Sequence, residues 1–138
     1  MKRRLGRRLF WKNMQKTDAN IVLRYILNDH AELSLKAKEI IEQYNIEITI
    51  EVLCEIVYVL TGHYKIGRQI VSTELVRFIK QTGCTISHKE VVFQAFNYFK
   101  DTAFDFVDCI LAAYAKIDND KILTFDYKLQ KLIAEIKN

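Results

Sequence analysis

Residues 46–60, Ile-Glu-Ile-Thr-Ile-Glu-Val-Leu-Cys-Glu-Ile-Val-Tyr-Val-Leu, form the most apolar stretch of the chain. The first three residues, Ile46 to Ile48, alternate between apolar and polar side chains, which is typical of a short strand. Thr49 to Leu60 then has the pattern of a helix. A strand that leads directly into a helix is the repeating unit of α/β proteins, so this stretch predicts an α/β fold.

Short strands and helices alternate through the rest of the chain. We expect helices at 21–27, 32–44, 49–60, 64–81, 87–100, 106–117 and 127–136, and strands at 46–48, 84–86 and 121–125. Gly83 stands where helices usually end, and Ser87 where the next helix would be capped. Because parallel strands need crossover connections, the alternation predicts a parallel sheet covered by helices. Ligand sites in such folds lie beyond the carboxyl ends of the strands.

Positive charge is concentrated at the start of the sequence. Residues 1–17 contain seven of the 21 basic residues and none of the 17 acidic ones. The rest of the chain therefore has 14 basic and 17 acidic residues, a net charge of −3. With no proline and no linker-like segment, we expect one domain at 14–138 preceded by a basic leader at 1–13. The leader is either solvated and disordered or a contact for RNA phosphates.

The composition also excludes export and membrane insertion. The apolar stretch at 46–60 contains three glutamates, which a membrane span would not tolerate. The basic start is not followed by the apolar region and cleavage site of a signal peptide. The cysteines, Cys54, Cys84 and Cys109, are odd in number and widely spaced. They predict reduced, buried thiols in a cytoplasmic protein rather than disulfides or a metal site.

The three histidines do not form a metal site of their own. His30, His63 and His88 occur in polar or loop-like contexts, without the spacing of zinc ligands. We therefore expect them on the surface.

Two aspartates directly precede predicted helices. Asp18 stands before the helix at 21–27, and Asp126 stands between the strand at 121–125 and the last helix. A helix N-cap, in which the side chain accepts a backbone N–H, is the simplest explanation for each. A site at the carboxyl ends of the strands is the alternative.

Asp105 and Asp108 have the spacing of a capping box at the start of the helix at 106–117. The residues that follow, 109–113, are almost all apolar, so this helix should be buried on most sides. Two aspartates three residues apart share one helix face. They repel each other unless a cation lies between them or one takes a proton.

Glu55 lies in the middle of a helix that is apolar nearly all round, where no cap is needed. We expect it to be buried, and a buried carboxylate needs a partner. A Lys or Arg partner is one alternative, and a metal ion shared with other acids is the other. Carboxylate oxygens are the ligands that Mg²⁺ and Mn²⁺ prefer. Glu51, one turn earlier, is expected to face solvent.

Taken together, the acids resemble the motifs of the PIN-domain family, and within it the VapC-type toxins. Residues 18–25, Asp-Ala-Asn-Ile-Val-Leu-Arg-Tyr, are similar to the opening DxN motif of the family. Glu55 follows in residues 51–60, then Asp105-Phe-Val-Asp108 at the start of residues 105–113, which resemble the third motif. Thr124-Phe125-Asp126 resembles the (S/T)xD motif after the last strand. The resemblance covers about residues 14–138.

The resemblance implies a three-layer α/β/α sandwich with a short-stranded parallel sheet and a Mg²⁺- or Mn²⁺-dependent endoribonuclease. Asp18, Glu55, Asp108 and Asp126 would be its metal-site acids. Asp105 would be an auxiliary acid, with Thr124 and Asn20 as hydrogen-bond partners. The family resemblance also implies a homodimer, a cognate antitoxin protein as partner, and structured RNA, tRNA included, as substrate.

The sequence departs from the family before Asp18. Residues 12–17, Lys-Asn-Met-Gln-Lys-Thr, contain no Ile or Val and have poor strand propensity. A catalytically impaired protein of the same fold that binds RNA or protein is therefore an alternative function. A phosphoacceptor receiver domain also clusters aspartates at strand ends, but it would leave Glu55 without a role.

Overall fold

A computed structural model describes residues 14–138. The predicted basic leader, residues 1–13, lies outside the described residues. Three short parallel strands form one sheet in the order β1-β2-β3: β1 Met14–Lys16, β2 Asn45–Ile48 and β3 Thr85–Ile86. In the register of the sheet, Lys16 lies opposite Glu47 and Ile48 opposite Ile86. The first strand therefore exists despite its polar sequence, and three of the described residues belong to it.

Helices make up most of the described residues. They are α1 Ala19–Leu27, α2 Ala31–Gln43, α3 Ile50–Tyr58, α4 Arg68–Thr82, α5 Lys89–Asp101, α6 Phe106–Ile117 and α7 Tyr127–Lys137. A π-helical turn, Val59–His63, continues α3. Helices packed around a short parallel sheet give a three-layer α/β/α sandwich, so the predicted fold class is confirmed.

Local hydrogen bonds explain most helix boundaries, with two corrections. The Thr49 hydroxyl accepts the Val52 N–H at 3.3 Å and starts α3. Gly83 ends α4 with φ 69°, a left-handed conformation that glycine adopts without strain. Ser87, however, does not cap α5: the helix begins at Lys89, and the Ser87 hydroxyl lies 3.4 Å from a Glu47 carboxylate oxygen. The helix predicted from residue 64 begins only at Arg68. After the π-helical turn, the amides of Tyr64 and Ile66 donate back to the carbonyls of Val59 and Leu60, and Lys65 between them is left-handed with φ 55°.

The core lies between β2 and the long helices. Ile46 and Ile48 are buried on the middle strand, as the alternating pattern predicts. Helix α6 packs against α3, α5 and α7, and much of it is buried, as its apolar sequence predicts. The largest fully buried side chains are Phe96, Ile41, Ile48, Leu53, Ile56, Leu75 and Leu129.

The predicted strand at 121–125 is not formed. The Thr124 hydroxyl accepts the backbone N–H of Asp126 at 3.0 Å, and the Gln130 side chain donates to the Thr124 carbonyl at 2.6 Å. Such local side-chain bonds compete with strand pairing. Leu123 is 84% exposed and Phe125 is fully exposed, so the apolar residues that suggested a strand do not enter the core.

All three cysteines lie within residues 14–138, and none forms a disulfide. Cys84 and Cys109 are buried as predicted, whereas Cys54 is only part-buried. His30, His63 and His88 are exposed, which confirms their predicted surface position.

Within the part of the chain that the structure describes, no helix is both long and apolar enough to cross a membrane.

Candidate functional site

Three aspartates from the starts of two helices line one cleft. Asp105 and Asp108 come from the start of α6, and Asp126 immediately precedes α7. The cleft has a volume of about 270 Å³, and its other lining residues are Ala103, Phe104 and Lys128. Helices α6 and α7 pack against each other, which brings together acids 18 or more positions apart in the sequence.

Asp108 is the least exposed of the three acids. Its side chain is part-buried, and this burial raises the pKa of its carboxyl group. The neighbouring carboxylates of Asp105 and Asp126 raise the pKa further by repulsion. The cleft therefore concentrates negative charge around one sheltered carboxylate, which is the arrangement that attracts a cation or a proton.

Asp105 occupies the N-cap position of α6, but its carboxylate makes no capping hydrogen bond. The capping-box role suggested by its spacing from Asp108 is therefore not realised. Only the backbone of Asp105 takes part in the helix, since its carbonyl accepts the Cys109 N–H at 3.0 Å. Its exposed carboxylate lines the cleft instead.

Asp126 caps α7, as its position before the helix predicted. Its Oδ1 accepts the Leu129 N–H at 3.1 Å. The Thr124 hydroxyl accepts the backbone N–H of Asp126 and so fixes its backbone; this hydrogen bond does not involve the Asp126 carboxylate. A carboxylate has two oxygens and several lone pairs, so capping and cation binding are compatible at this residue.

Asp18 lies in a different cleft from these three acids. Its Oδ1 accepts the Ile21 N–H at 3.3 Å and caps α1, so the capping interpretation holds here too. The cleft beside it has a volume of about 450 Å³ and is lined by Gln15, Lys16, Thr17, Asp18, Ile21, Ile40, Tyr44 and Ile46. Asn20 is exposed in the first turn of α1. Asp18 therefore lines this second cleft and is not among the residues that line the cleft of Asp105, Asp108 and Asp126.

The predicted burial of Glu55 is wrong. Glu55 is exposed on α3 and lines neither cleft. The buried stripe of this helix consists of Leu53, Ile56 and Val57. Glu51, Glu55 and Tyr58 occupy the opposite, solvent-facing side at the i, i+4, i+7 spacing of one helix face. The apolar composition of α3 concealed an ordinary amphipathic helix.

Glu51 is exposed, as expected, yet its negative charge affects the pKa of two part-buried side chains. It contributes to raising the pKa of the Cys54 thiol, after burial, which is the larger cause. It also contributes to the raised pKa of Tyr114 on α6, where burial again comes first. The charge of Glu51 thus acts on a side chain of the neighbouring helix α6.

A residue that the sequence interpretation missed, Arg68, holds the loop before α6. Its Nε donates to the Phe99 carbonyl at 3.0 Å, and its Nη2 donates to the Phe104 carbonyl. The guanidinium carbon also lies 3.7 Å from the centroid of the Phe99 ring. Phe104 lines the cleft next to Asp105, so Arg68 fixes the backbone from which both α6 acids project.

Lys128, the basic residue of the cleft, was also missed. It follows Asp126 by two positions on the first turn of α7. Its sequence signal is weak, because lysines are common on exposed helix faces. Arg68 has no signal at all, since its partners are backbone carbonyls more than 30 positions away.

The carboxylates of the cleft are suitable ligands for a divalent cation, but they do not lie close enough together to coordinate one. Three carboxylates are the donors that hard cations such as Mg²⁺ prefer. However, no group of three or more Asp, Glu, His or Cys side chains within residues 14–138 is arranged to hold a metal ion. A cation would therefore have to draw the three carboxylates together.

The chain is thus an α/β/α protein with an acidic cleft at the starts of two helices. Residues 17–135 match the PIN domain family, and the chain belongs to this family. PIN domains are generally nucleases and typically use divalent metal ions. No curated protein and no solved structure matches the chain.

Proposed function

We propose that this protein is a Mg²⁺- or Mn²⁺-dependent endoribonuclease and the toxin of a type II toxin–antitoxin pair. The observation that carries the proposal is the cleft that brings together Asp105, Asp108 and Asp126, in which burial and then the two neighbouring carboxylates raise the pKa of Asp108. Perturbed acids in a cleft are typical of catalytic sites. The match to the PIN domain family supports nuclease chemistry, and the motif resemblance supports the toxin role.

The residues of the cleft would position the acids and contribute one positive charge for a polyanionic substrate. Three neighbouring carboxylates repel both one another and an RNA phosphate, so RNA enters only when their charge is compensated. Lys128 places one positive charge at the cleft for a phosphate oxygen. Thr124 and the cap to Leu129 hold Asp126, and Arg68 holds the loop before Asp105. The site is thus positioned by its own hydrogen bonds.

The metal would be held by Asp105, Asp108 and Asp126. Asp18 and Glu55 remain proposed members of the site from the motif resemblance, with Asn20 and Thr124 as auxiliary residues. When bound, a divalent cation supplies an activated water for attack on phosphorus and stabilises the leaving oxygen.

The proposed biological setting follows the motif resemblance. The substrate would be structured RNA, tRNA included, and a cognate antitoxin protein would neutralise the enzyme. The protein would be a cytoplasmic homodimer.

RNA cleavage with Mg²⁺ or Mn²⁺ tests this function. We expect Asp108→Asn to lower cleavage by about 100-fold or more, since even residues that only support metal ligands cost 10- to 100-fold. Glu135→Gln is the matched control, because Glu135 is exposed at the far end of α7, about 13 Å along the helix from Asp126. EDTA should abolish cleavage and Mn²⁺ restore it. Equal cleavage by wild type, Asp108→Asn and EDTA-treated protein would contradict the proposal.

A second candidate function is a PIN-fold module that binds RNA or protein without cleaving. It is favoured by the position of Asp18, which lines a second cleft rather than the cleft of Asp105, Asp108 and Asp126. Calorimetric titration discriminates the two. Failure to bind Mn²⁺ at millimolar concentration would favour the binding module.

A further inference from the structure

A third cleft lies where α4, β3 and α5 meet. Its volume is about 380 Å³, which is within the range of about 300–1,000 Å³ that is usual for small-molecule sites. It shares no lining residue with the two clefts described above. The described residues that line it include two lysines and no acid, so we call it the basic cleft; they are Ile79, Lys80, Gly83, Cys84, Thr85, Ile86 and Lys89.

One aromatic ring holds the two lysines of the basic cleft together. The Lys80 Nζ lies 5.7 Å from the centroid of the Phe93 ring, and the Lys89 Nζ lies 5.6 Å from the same centroid. Phe93 is part-buried and packs against the core, so its ring is fixed. A cation within about 6 Å of a ring face is attracted to it. The ring therefore gathers two ammonium groups that come from different helices, α4 and α5.

The charges of these two lysines are not balanced by acids. Within residues 14–138, neither Lys80 nor Lys89 forms an ion pair, whereas Lys16, Lys36 and Lys38 each pair with a glutamate. Two like charges held at one ring repel each other. An anion bound between them would remove this repulsion and interact favourably with both. The charge of the basic cleft therefore complements an anionic ligand.

The walls of the basic cleft suit an apolar group beside that anion. Ile79 at the end of α4 and Ile86 on β3 both line the cleft, and both belong to the hydrophobic core. A site that combines apolar walls with a few charged groups is the usual composition of a small-molecule pocket. The ligand that fits would carry its negative charge at one end and an apolar body at the other.

We propose that the basic cleft binds a small molecule that has a phosphate monoester group and an apolar body. A phosphate monoester carries a charge of about −1.5 to −2 at pH 7, which matches two ammonium groups better than the single charge of a carboxylate. Lysine ammonium groups bind phosphate as point charges. Lys80 and Lys89 hold the phosphate, and Ile79 and Ile86 contact the apolar body. The site is independent of the acidic cleft and of the proposed ribonuclease function.

Titration of the ¹⁵N-labelled full chain, followed by two-dimensional amide NMR spectra, tests this inference. The probes are phenyl phosphate, benzoate and inorganic phosphate, at pH 7 and without divalent cations. Benzoate keeps the phenyl ring but has one charge, and inorganic phosphate lacks the ring. The Gly83 amide reports on the basic cleft, while Gly62 and Gly67 do not line it and serve as internal references. Glycine amides resonate apart from most others, so the three signals can be followed individually.

The variants remove one positive charge each. Lys80→Met and Lys89→Met keep most of the side-chain stem and lose the ammonium group. Lys100→Met is the matched control, because Lys100 is exposed near the opposite end of α5, roughly 16 Å along the helix from Lys89. Amide spectra of the unliganded variants should match wild type away from the substituted residue, since all three lysines are exposed.

We expect phenyl phosphate to shift the Gly83 amide with a saturating curve and a Kd of about 1 mM or below, the affinity usual for a ligand of this size. Gly62 and Gly67 should not move. Lys80→Met and Lys89→Met should each raise the Kd by about three- to fivefold, the effect of losing one exposed ion pair. Lys100→Met should bind like wild type, and benzoate and inorganic phosphate should bind more weakly than phenyl phosphate.

Each contrary result overturns a stated part of the inference. A Gly83 shift that does not saturate, or that Gly62 and Gly67 share, would mean that no site exists. If Lys100→Met weakens binding as much as the two cleft variants, the phosphate responds only to overall charge. Equal binding of benzoate would refute the phosphate assignment. Displacement of phenyl phosphate by an unphosphorylated oligouridylate would make the cleft part of a nucleic-acid surface and the inference wrong. Because divalent cations are absent throughout, none of these results bears on the ribonuclease proposal.

Discussion

Arg68 offers a direct test of how the loop before α6 is held. Its two hydrogen bonds reach the carbonyls of Phe99 and Phe104, and its guanidinium lies against the Phe99 ring. A hydrogen bond to a charged group contributes about 1.5–3 kcal/mol, and a cation–π contact about 0.5–2 kcal/mol. Because Arg68 is part-exposed, the lower ends apply. Arg68→Met removes two such hydrogen bonds and one cation–π contact, so it should lower the free energy of unfolding by about 3 to 3.5 kcal/mol.

Urea denaturation followed by circular dichroism measures this loss. With a denaturant slope of about 2 kcal/mol per molar urea, the midpoint should fall by about 1.5 M. Arg68→Lys should keep roughly half of the stability that Arg68 contributes, because a lysine ammonium group lacks the guanidinium fork that reaches two carbonyls. Arg77→Met is the control on the same helix. Arg77 is exposed and pairs only with Glu74 at 3.3 Å, an exposed ion pair of at most about 1 kcal/mol.

The functional consequence of Arg68 concerns the acids of α6. If the loop positions Asp105 and Asp108, Arg68→Met should weaken Mn²⁺ binding at temperatures where the variant remains folded. Arg77→Met should leave it unchanged. A variant that loses stability but keeps wild-type Mn²⁺ affinity would refute the positioning role. A variant no less stable than Arg77→Met would refute the energetic reasoning as well.

Two further predictions concern titratable groups. The pKa of Asp108 is raised in the folded protein, so the folded state binds the proton more tightly and stability falls as pH rises from the ordinary value of 3.8 through the raised pKa. Asp108→Asn should therefore be more stable than wild type near pH 7 and lose this advantage toward pH 4, as measured by urea midpoints. A constant difference across this range would contradict the raised pKa. Burial raises the pKa of the Cys109 thiol to about 11, so limited iodoacetamide labelling read by mass spectrometry should modify the part-buried Cys54 first and Cys109 only on unfolding. Equal labelling of the two thiols in the native protein would show that the region around Cys109 opens.

The sequence predicts helices better than strands in this protein. The predicted bounds of α6 agree with the observed ones, because a long apolar run that directly follows an aspartate favours a buried helix over other secondary structure. The strand at 121–125 was predicted from similar apolar residues and was wrong. A segment of five residues is decided by a few hydrogen bonds, and here the side chains of Thr124 and Gln130 supply them locally. Such competition cannot be judged from strand propensity alone.

The acids of the site were predictable to different degrees. Asp105 and Asp108 share a helix face by their spacing alone, and Asp126 joins them because α6 and α7 pack together. The error about Glu55 was avoidable, since Leu53, Ile56, Val57 and Leu60 already define a buried stripe that excludes it. The role of Arg68 was not predictable, because backbone carbonyls carry no sequence signature.

The shortness of the sheet has a consequence for association between chains. In the part of the chain that the structure describes, the outer strands are β1, with three residues, and β3, with two. An unpaired strand edge is a template on which another chain can add, and its hazard grows with its length and flatness. Here Gln15 and Lys16 are exposed on β1, and Lys16 is bound to Glu47 of β2 at 3.0 Å. Within residues 14–138, each edge therefore presents only a few backbone groups, and the charged side chain of Lys16 on β1 disfavours the addition of another strand there.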